Sequence, residues 1–410
     1  MTAAPPPRVH PLTPALAALA IALLLGLQPV TTDLYLPALP LLAAELKAPM
    51  AAAQLTMSLV LLAFGIGQLV MGPLSDRFGR KPVLLGGLAL HTLASLGAMS
   101  APHIDALIGF RALQGLGLAA SVVCARAMVR DLYEPRQGAH VMTWALTGLG
   151  VLALASPLLG GWLTAVSGWR APLGAVAMVA VLTLVFIAWR VPETCPQRDP
   201  HALHPGPLRR SAAVVLRHPA FRAWAALVSA TYGGLFLLLA GSSFVYIGVL
   251  GLSPWGYGLA MASASLSYMA ATFYCRRLLV RRGLAGAVRL GAVFTLAGGL
   301  GMACLALSGS HDLAGVLLAH WLYNFGHGIH QPCGQAGAVG PFPRMAGVAS
   351  ALAGFLLALV AFAVGLWLGQ ALDGSLRPLG LGLAFFALAT TTIAWTLVQR
   401  DGERFELAPT

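Results

Sequence analysis

Charged residues are scarce in this chain: Asp, Glu, Lys and Arg make up 9% of its 410 residues, whereas soluble globular proteins carry about 25%. A chain with so few charges cannot cover a water-facing surface, which excludes an ordinary soluble protein. Disorder is excluded as well, because 58% of the residues are hydrophobic and disordered segments are poor in such residues. What remains is a polytopic membrane protein.

Cysteine is also scarce, and the five cysteines match no zinc-binding spacing and no disulfide framework. The sequence offers neither a nucleophile with its base nor a complete set of metal ligands, which argues against a membrane enzyme. A receptor would have about seven helices or a sizeable soluble output domain, and neither is visible. We therefore expect no enzyme activity, no cofactor and no metal site.

Long apolar runs are what the chain has in abundance, and they predict an all-α membrane protein with twelve transmembrane helices. The first six are predicted at about 14–40, 51–73, 82–101, 104–130, 138–167 and 171–190. The second six are predicted at about 221–250, 256–279, 284–308, 312–336, 345–373 and 377–399. The longest polar stretch lies between these sets and is rich in proline, so it is read as a linker over 191–217 that joins the halves 1–190 and 218–410.

The cations test this count of helices. Of the 25 Lys and Arg residues, nearly all fall on the side of the predicted bundle that carries both termini, and Arg111 lies within a helix. Those on the other side are Lys47, Arg170 and Arg377. The positive-inside rule assigns the cation-rich side to the cytoplasm. The apolar run after Arg8 resembles a signal peptide, but it continues to Leu39 without a convincing cleavage site, so an uncleaved first helix is expected.

Two ionisable side chains are predicted inside the membrane in the first half. Asp33 lies about 9 Å from the outer end of the first helix and Arg111 about 10 Å from the outer end of the fourth, so they are expected to partner around a watery cavity. Intramembrane ionisable groups usually mark ion pathways, and a carboxyl group can gain and lose a proton while guanidinium stays charged. The alternatives are a static neutralising pair and an Asp33 hydrated near the surface.

The predicted tenth helix carries a polar stripe. Its members are spaced i, i+4, i+7 and i+11, which places them within about 60° of one another. They are His320, Asn324, His327 and Gln331. Such a stripe faces a cavity that handles substrate or protons, or it forms buried hydrogen bonds between helices. A metal site is disfavoured because the two histidines are two turns apart and no carboxylate or thiol completes the ligands.

The predicted seventh helix has a weaker pattern, in which Ser229, Tyr232, Phe236 and Ser243 share a face. Aromatic and hydroxyl groups in this arrangement suit a pocket for a lipophilic substrate. Ordinary helix packing explains the pattern equally well. Both readings stay open.

The loop between the second and third predicted helices contains a specific motif. It reads Gly72-Pro73-Leu74-Ser75-Asp76-Arg77-Phe78-Gly79-Arg80-Lys81-Pro82. The glycines allow a tight turn, and Asp76 can pair with an arginine or cap a helix N-terminus. A charged loop alone would usually be a topology anchor, but this one resembles the G-x-x-x-D-R-x-G-R-[RK] signature of the major facilitator superfamily.

Three further stretches carry the same resemblance. Arg111-Ala112-Leu113-Gln114-Gly115 is similar to the helix 4 motif of that superfamily, whose arginine is implicated in proton transfer. Gly148-Leu149-Gly150 with Ser156-Pro157-Leu158-Leu159-Gly160-Gly161 resembles the helix 5 antiporter motif, with Ser156 in place of a preferred glycine. Asp33-Leu34-Tyr35-Leu36-Pro37-Ala38-Leu39-Pro40 and Arg130-Asp131-Leu132-Tyr133 resemble the bicyclomycin and chloramphenicol efflux branch.

The resemblance implies two pseudo-symmetric six-helix halves that rock around a cavity lined by helices 1, 4, 7 and 10. It implies proton coupling by Asp33 and Arg111. The expected cavity residues are Tyr35, Gln114, Tyr232, Phe236, His320, Asn324, His327 and Gln331. The expected conformational latch comprises Gly72, Asp76, Arg77, Gly79, Arg80 and Arg130, and the helix 5 motif comprises Gly148, Pro157, Gly160 and Gly161.

The function implied is a proton-coupled multidrug efflux transporter, a drug:H⁺ antiporter that exports small amphipathic compounds and so confers antibiotic resistance. It is expected in the cytoplasmic (inner) membrane as a monomer, with no nucleic acid partner. The alternative is an exporter or importer of a small natural metabolite on the same fold. Importers usually carry several charges in both halves, and the predicted spans of this second half have almost none.

Overall fold

The computed structural model describes residues 12–403, which are largely helical and contain no strand. The ends around Arg8 and Arg404, which count among the cations on the predicted cytoplasmic side, lie outside the described residues. In the first half the membrane helices are α1 (Pro14–Thr32), α2 (Met50–Phe78), α3 (Arg80–Met99), α4 (Ile104–Leu132), α5 (Pro135–Ser167) and α6 (Arg170–Arg190). In the second half they are α7 (Pro219–Ser243), α8 (254–282), α9 (284–308), α10 (Leu313–Val339), α11 (Ala346–Ala371) and α12 (Arg377–Trp395).

The predicted twelve spans agree with this architecture. Ten continuous helices in residues 12–403 are long and apolar enough to cross a membrane. One of them, Pro254–Ser308, contains both α8 and α9, because Gly283 adopts a φ of 64° and bends the chain back between them. The remaining span, α10, is 27 residues long but carries the polar stripe, which lowers its hydropathy.

The first span is not the single helix predicted over 14–40. Regular helix ends at Thr32, and a 3₁₀ turn (Leu36–Ala38) and a short helix (Leu39–Glu45) continue to the far side. The physical reason is Pro37 and Pro40, which have no backbone N–H to donate to the preceding turn. Asp33 therefore lies where the helix is interrupted.

The stretch predicted as a linker contains a helix, Pro205–Arg217. Proline favours the first turn of a helix, where its missing N–H would be unpaired anyway, so Pro205 and Pro207 start this helix instead of preventing it. One face buries Val215, and Arg209 and Arg210 on the other face are exposed. The segment is amphipathic.

The buried apolar cluster that joins the two halves within residues 12–403 lies on one side of the bundle. We call the side that carries residue 12 and residue 403 the terminal side, and the opposite side the distal side. On the distal side a single buried cluster includes Leu36 and Met57 of the first half with Phe236 and Leu368 of the second. There Gln54 Nε2 also donates to Ala240 O at 2.8 Å.

On the terminal side each half has its own core. The first half packs Leu24 against a cluster that includes Leu118, and the second half packs Phe221 with Ile329. The halves do meet here through an exposed hydrogen bond, in which Arg126 Nη1 donates to Ser350 Oγ at 2.8 Å. Buried apolar packing therefore closes the distal side, whereas the described contact between the halves at the terminal side is polar and exposed.

Candidate functional site

Asp33 lies at the end of regular helix in α1, where its N–H still donates to Pro29 O at 2.7 Å. Its carboxylate accepts a hydrogen bond from Thr32 Oγ1 at 2.7 Å. The side chain is half-buried and lies close enough to Tyr232 of α7 and Tyr257 of α8 to interact with them electrostatically. Both tyrosines belong to the second half, so the carboxylate lies near that half of the protein.

Arg111 of α4 is fully buried and is held by oxygen atoms of uncharged groups. Nε donates to Thr56 O at 3.1 Å, and Nη1 donates to Thr31 O and to Gln114 Oε1, both at 3.0 Å. The guanidinium also lies 4.5 Å from the centre of the Tyr35 ring. The cation is bound by backbone dipoles and an aromatic face.

The expected contact between Asp33 and Arg111 is absent: no ion pair joins them in the part of the chain that the structure describes. Arg111 is directed at carbonyl groups of α1 and α2, whereas Asp33 faces α7 and α8. Depth along a helix axis was the basis of the expectation. Depth does not specify direction around the axis, which changes by 100° per residue.

A buried polar network extends from Gln114, the side chain that accepts a hydrogen bond from Arg111. Gln114 Nε2 donates to Ser95 Oγ at 2.8 Å. His91 of α3 places Nδ1 3.0 Å from Gln114 O and Nε2 3.3 Å from Thr31 Oγ1. His91 was not among the predicted site residues, although an ionisable group within an apolar span is itself a signal of function.

The polar stripe of α10 faces α7 and α8. His320 Nδ1 lies 3.1 Å from Tyr246 Oη, Asn324 Nδ2 donates to Ala264 O at 3.3 Å, and His327 Nδ1 lies 3.1 Å from Thr231 Oγ1. Several buried atoms of the stripe have no hydrogen-bond partner among residues 12–403. They are His320 Nε2, Asn324 Oδ1 and Gln331 Oε1. Because an unpaired buried polar atom is costly, these atoms are ready to bond a molecule that enters.

Aromatic rings flank the stripe. The His327 ring centre lies 6.3 Å from that of Tyr232 and 5.8 Å from that of Tyr268. Tyr268 of α8 was not predicted, because one sequence does not show which face of α8 meets α10. Phe236 is fully buried in the core that joins the halves, and Tyr35 and Gln114 contact Arg111. In this conformation Phe236, Tyr35 and Gln114 are fully buried, and His320, Asn324 and His327 are buried as well.

The latch motif is built around Arg80 at the start of α3. Its guanidinium pairs with Asp76, donates to Asp131 Oδ2 at 2.9 Å and to Ser75 Oγ at 2.7 Å. Gly79, with a φ of 103°, makes the turn between α2 and α3 that only glycine readily adopts. The ends of α2, α3 and α4 are thereby tied together.

Sequence reasoning missed Glu193, which completes this cluster. Its carboxylate accepts from the backbone N–H of Arg80 at 2.9 Å and of Lys81 at 3.3 Å, so it caps the positive end of α3. Glu193 follows α6 and is far from the motif in sequence. In the sequence, the one hint of a role for Glu193 was that an acidic residue directly follows a predicted membrane span.

The other predicted latch residues are more peripheral. Arg77 lies 5.4 Å from the Phe78 ring centre, and neither Arg77 nor Arg130 forms an ion pair within residues 12–403. Arg130 is exposed at the end of α4. Gly72 lies within α2, where an added methyl group would have its nearest neighbour 3.9 Å away.

The helix 5 motif brings backbones into contact. Gly160 packs on Leu34 O, and an added methyl group there would overlap that oxygen. A methyl group on Gly161 would lie 2.5 Å from Pro254 O, and one on Gly258 of α8 would lie 2.6 Å from Pro157 O. Gly148 similarly faces Ala22 of α1. The glycines allow α5 to cross α1 and α8 at backbone distance.

Comparison with known proteins identifies the fold and its relatives. Residues 21–366 match the family model described as Major Facilitator Superfamily. The chain is 31% identical to multidrug resistance protein D of Escherichia coli (strain K12), over 82% of this chain and 84% of that protein. It is 29% identical to the chloramphenicol resistance protein of Pseudomonas aeruginosa, over 78% of this chain and 75% of that protein.

A solved structure supports the same assignment. The crystal structure of a D-xylose-proton symporter superposes with a TM-score of 0.72 and 15% identity, over 96% of this chain and 99% of that one. At this identity the likeness concerns the fold alone.

Within residues 12–403 no three His, Cys, Asp or Glu side chains form a group that could hold a metal ion. The chain belongs to the major facilitator superfamily, whose members are membrane transporters and not enzymes.

Proposed function

We propose that this protein is a proton-coupled exporter of small amphipathic drugs that works by alternating access. The observation that carries the proposal is the position of Asp33, a half-buried carboxylate in the first half that lies where regular helix ends in α1, near Tyr232 and Tyr257 of the second half. A titratable group between two moving halves can be open to one side in one state and to the other side in the next. The relatives are named multidrug and chloramphenicol resistance proteins, which supports drugs as the substrates.

The charge distribution supports an orientation. Loops on the terminal side carry most of the cations, so the positive-inside rule places that side, with both termini, in the cytoplasm. The membrane is then the cytoplasmic (inner) membrane of a bacterium. The shared core on the distal side supports an inward-facing assignment for this conformation. Nothing in the mechanism requires more than a monomer.

The mechanism follows from the placement of charge. In the outward-facing state Asp33 takes up a proton, and in the inward-facing state the arriving substrate displaces that proton to the cytoplasm. Arg111 is fixed by three oxygen atoms and the Tyr35 ring, so it supplies a stationary positive charge in the first half while Asp33 gains and loses the proton. The Arg80 cluster keeps the ends of α2, α3 and α4 together as the first half rocks.

The lining residues support an amphipathic substrate. The second half supplies the rings of Tyr232, Tyr268 and His327 together with the amides of Asn324 and Gln331. Rings bind the apolar part of a ligand, and unpaired amide oxygens accept hydrogen bonds from its polar part. Asp33 is the single carboxylate assigned to this cavity.

The proposal is tested with purified protein in liposomes that enclose a pH-sensitive dye. Chloramphenicol and ethidium are added in turn to wild type, Asp33→Asn and Asp105→Asn, where Asp105 is an exposed control on the first turn of α4. We expect a drug-triggered proton flux opposite to drug movement in wild type and Asp105→Asn, and none in Asp33→Asn. Drug movement by wild type with no proton flux would overturn the coupling, and the absence of transport of either drug would overturn the substrate class.

A further inference from the structure

One hydroxyl group bridges two histidines of α10. Thr231 Oγ1 of α7 lies 3.1 Å from His327 Nδ1 and 3.4 Å from His330 Nδ1. All three side chains are buried. His330 lies outside the polar stripe predicted from sequence, so this connection is a product of the packing of α10 against α7.

The direction of each hydrogen bond follows from elimination. Val288 O can only accept, so His330 Nε2, which lies 3.1 Å away, is the donor. In the neutral ring the other nitrogen, Nδ1, must then accept a hydrogen bond. Thr295 Oγ1 is 3.5 Å from it but already donates to Gly291 O at 3.3 Å. The remaining donor is the hydroxyl of Thr231.

The chain then continues to His327. Because the Thr231 hydroxyl proton is used toward His330, its oxygen accepts from His327 Nδ1–H. The other ring nitrogen of His327, Nε2, has no hydrogen-bond partner among the described residues, and it is not among their sealed, unpaired atoms. The ring lies beside Tyr232 and Tyr268. One end of the chain thus lies beside these aromatic rings, with its nitrogen unpaired among the described residues, and the other end is buried at Val288.

This arrangement can pass one proton without moving a heavy atom. A proton added at His327 Nε2 makes that ring a cation. Its Nδ1 proton moves to Thr231 Oγ1 as the threonine proton moves to His330 Nδ1. His327 is then neutral and accepts from Thr231, and the charge is on His330, which donates to Thr231 Oγ1 and Val288 O. Both N–H groups of the buried cation are bonded to oxygen, which offsets part of the cost of burying it.

The surroundings contain no fixed counter-ion. The titratable groups that face the pair are Tyr232 on α7, Tyr268 on α8 and His320 on α10, and α9 contributes Thr295, which does not titrate. Within residues 12–403 neither histidine pairs with a carboxylate. The occupancy of the site by a proton therefore depends on water and substrate at the open end of the chain.

We propose that His327, Thr231 and His330 form a second proton-carrying site, in the half of the protein opposite to Asp33. Substrate that binds at the unpaired Nε2 of His327 displaces the proton from this site, as it does from Asp33. The inference rests on the proposed function, since it requires a substrate that binds against Tyr232 and Tyr268. It adds a proton-binding group that the carboxylate mechanism does not contain.

Thr231→Val tests the site, because valine keeps the branched shape and removes the bridging hydroxyl. Thr231→Ser restores the hydroxyl, and Thr295→Val removes the neighbouring hydroxyl that is not part of the chain. Proton release on adding chloramphenicol is measured with a pH indicator in weakly buffered detergent solution, across a range of starting pH. Thermal unfolding of each variant shows that it is folded.

We expect wild type, Thr231→Ser and Thr295→Val to release protons in two steps along the pH axis. Thr231→Val and His330→Gln should lose one step, and Asp33→Asn should lose the other. If Thr231→Val and His330→Gln release as many protons as wild type at every pH, the inference is overturned while the proposed coupling by Asp33 stands. If only the Asp33→Asn variant behaves as wild type, the carboxylate role fails and the histidine site remains.

Discussion

The guanidinium of Arg111 lies over the ring of Tyr35, with 4.5 Å between the guanidinium carbon and the ring centre. The Tyr35 hydroxyl is 3.0 Å from Thr56 Oγ1, and because that oxygen donates to Ala53 O at 2.6 Å, the tyrosine is the donor. Thr56 O in turn accepts from Arg111. The interrupted end of α1 and the start of α2 thus hold one buried cation together.

Replacing Tyr35 separates the role of the ring from that of the hydroxyl. Tyr35→Phe keeps the aromatic face and loses one hydrogen bond, at a cost of about 1 kcal/mol. Tyr35→Leu loses the cation–π contact too, which adds about 1–2 kcal/mol for a desolvated pair. Thermal unfolding of the purified variants measures both. Equal melting temperatures for the two variants would show that the ring contributes nothing to Arg111.

Arg111→Lys tests the fork geometry. An ammonium group cannot reach Thr31 O, Thr56 O and Gln114 Oε1 at once from one planar fork, so carbonyl groups are left unpaired in the membrane. We expect a folded protein whose drug-driven proton flux falls at least tenfold, or about 1.4 kcal/mol. Arg170→Lys, at a half-exposed cation stacked on Trp169, is the control. Full transport by Arg111→Lys would mean that charge alone suffices.

Arg80→Ala and Arg77→Ala distinguish the centre of the latch from its edge. Removing Arg80 leaves Asp131, whose side chain is 14% exposed, without its charged partner, so unfolding should become easier by about 2 kcal/mol or more. Arg77 has no ion pair in residues 12–403, and its removal should change stability by less than about 0.5 kcal/mol. Denaturant unfolding measures the difference. Similar shifts for the two variants would contradict the assignment of Arg80 as the centre.

Gly161→Ala should break the seal between the halves. The new methyl group meets Pro254 O at 2.5 Å, so α5 and α8 must move apart. We expect a proton leak in liposomes without any drug, measured with the enclosed pH dye. Gly150→Ala in the same helix has no atom within 4 Å of the added methyl group and should remain tight. A leak of equal size in both variants would show that backbone contact at Gly161 is not the barrier.

The number of helices could be predicted from sequence, because the length of an apolar run reports on the membrane directly. The partner of each polar side chain could not. Asp33 and Arg111 were expected in contact from their depth alone, yet they face different helices. His330 was set aside because it lies off the stripe, although it meets Thr231 through the packing of α10 on α7.

Contacts between segments that are distant in sequence could not be predicted either. Glu193 bonds to Arg80 across 113 residues of chain, and no pattern within either segment shows this pairing. The helix Pro205–Arg217 was missed for another reason, since its prolines were read as breaks when they occupy the first turn. In both cases the local pattern was correctly observed but its three-dimensional context was not available.

The one-sided packing of the halves has a thermal consequence. The distal core places Leu36, Met57, Phe236 and Leu368 in one cluster, so the opposite state must bring part of this apolar surface into contact with water. Hydration of apolar surface raises the heat capacity, and the balance between the two states must then curve with temperature. Cooling weakens the cohesion of the distal core, so the occupancy of the two states depends on temperature.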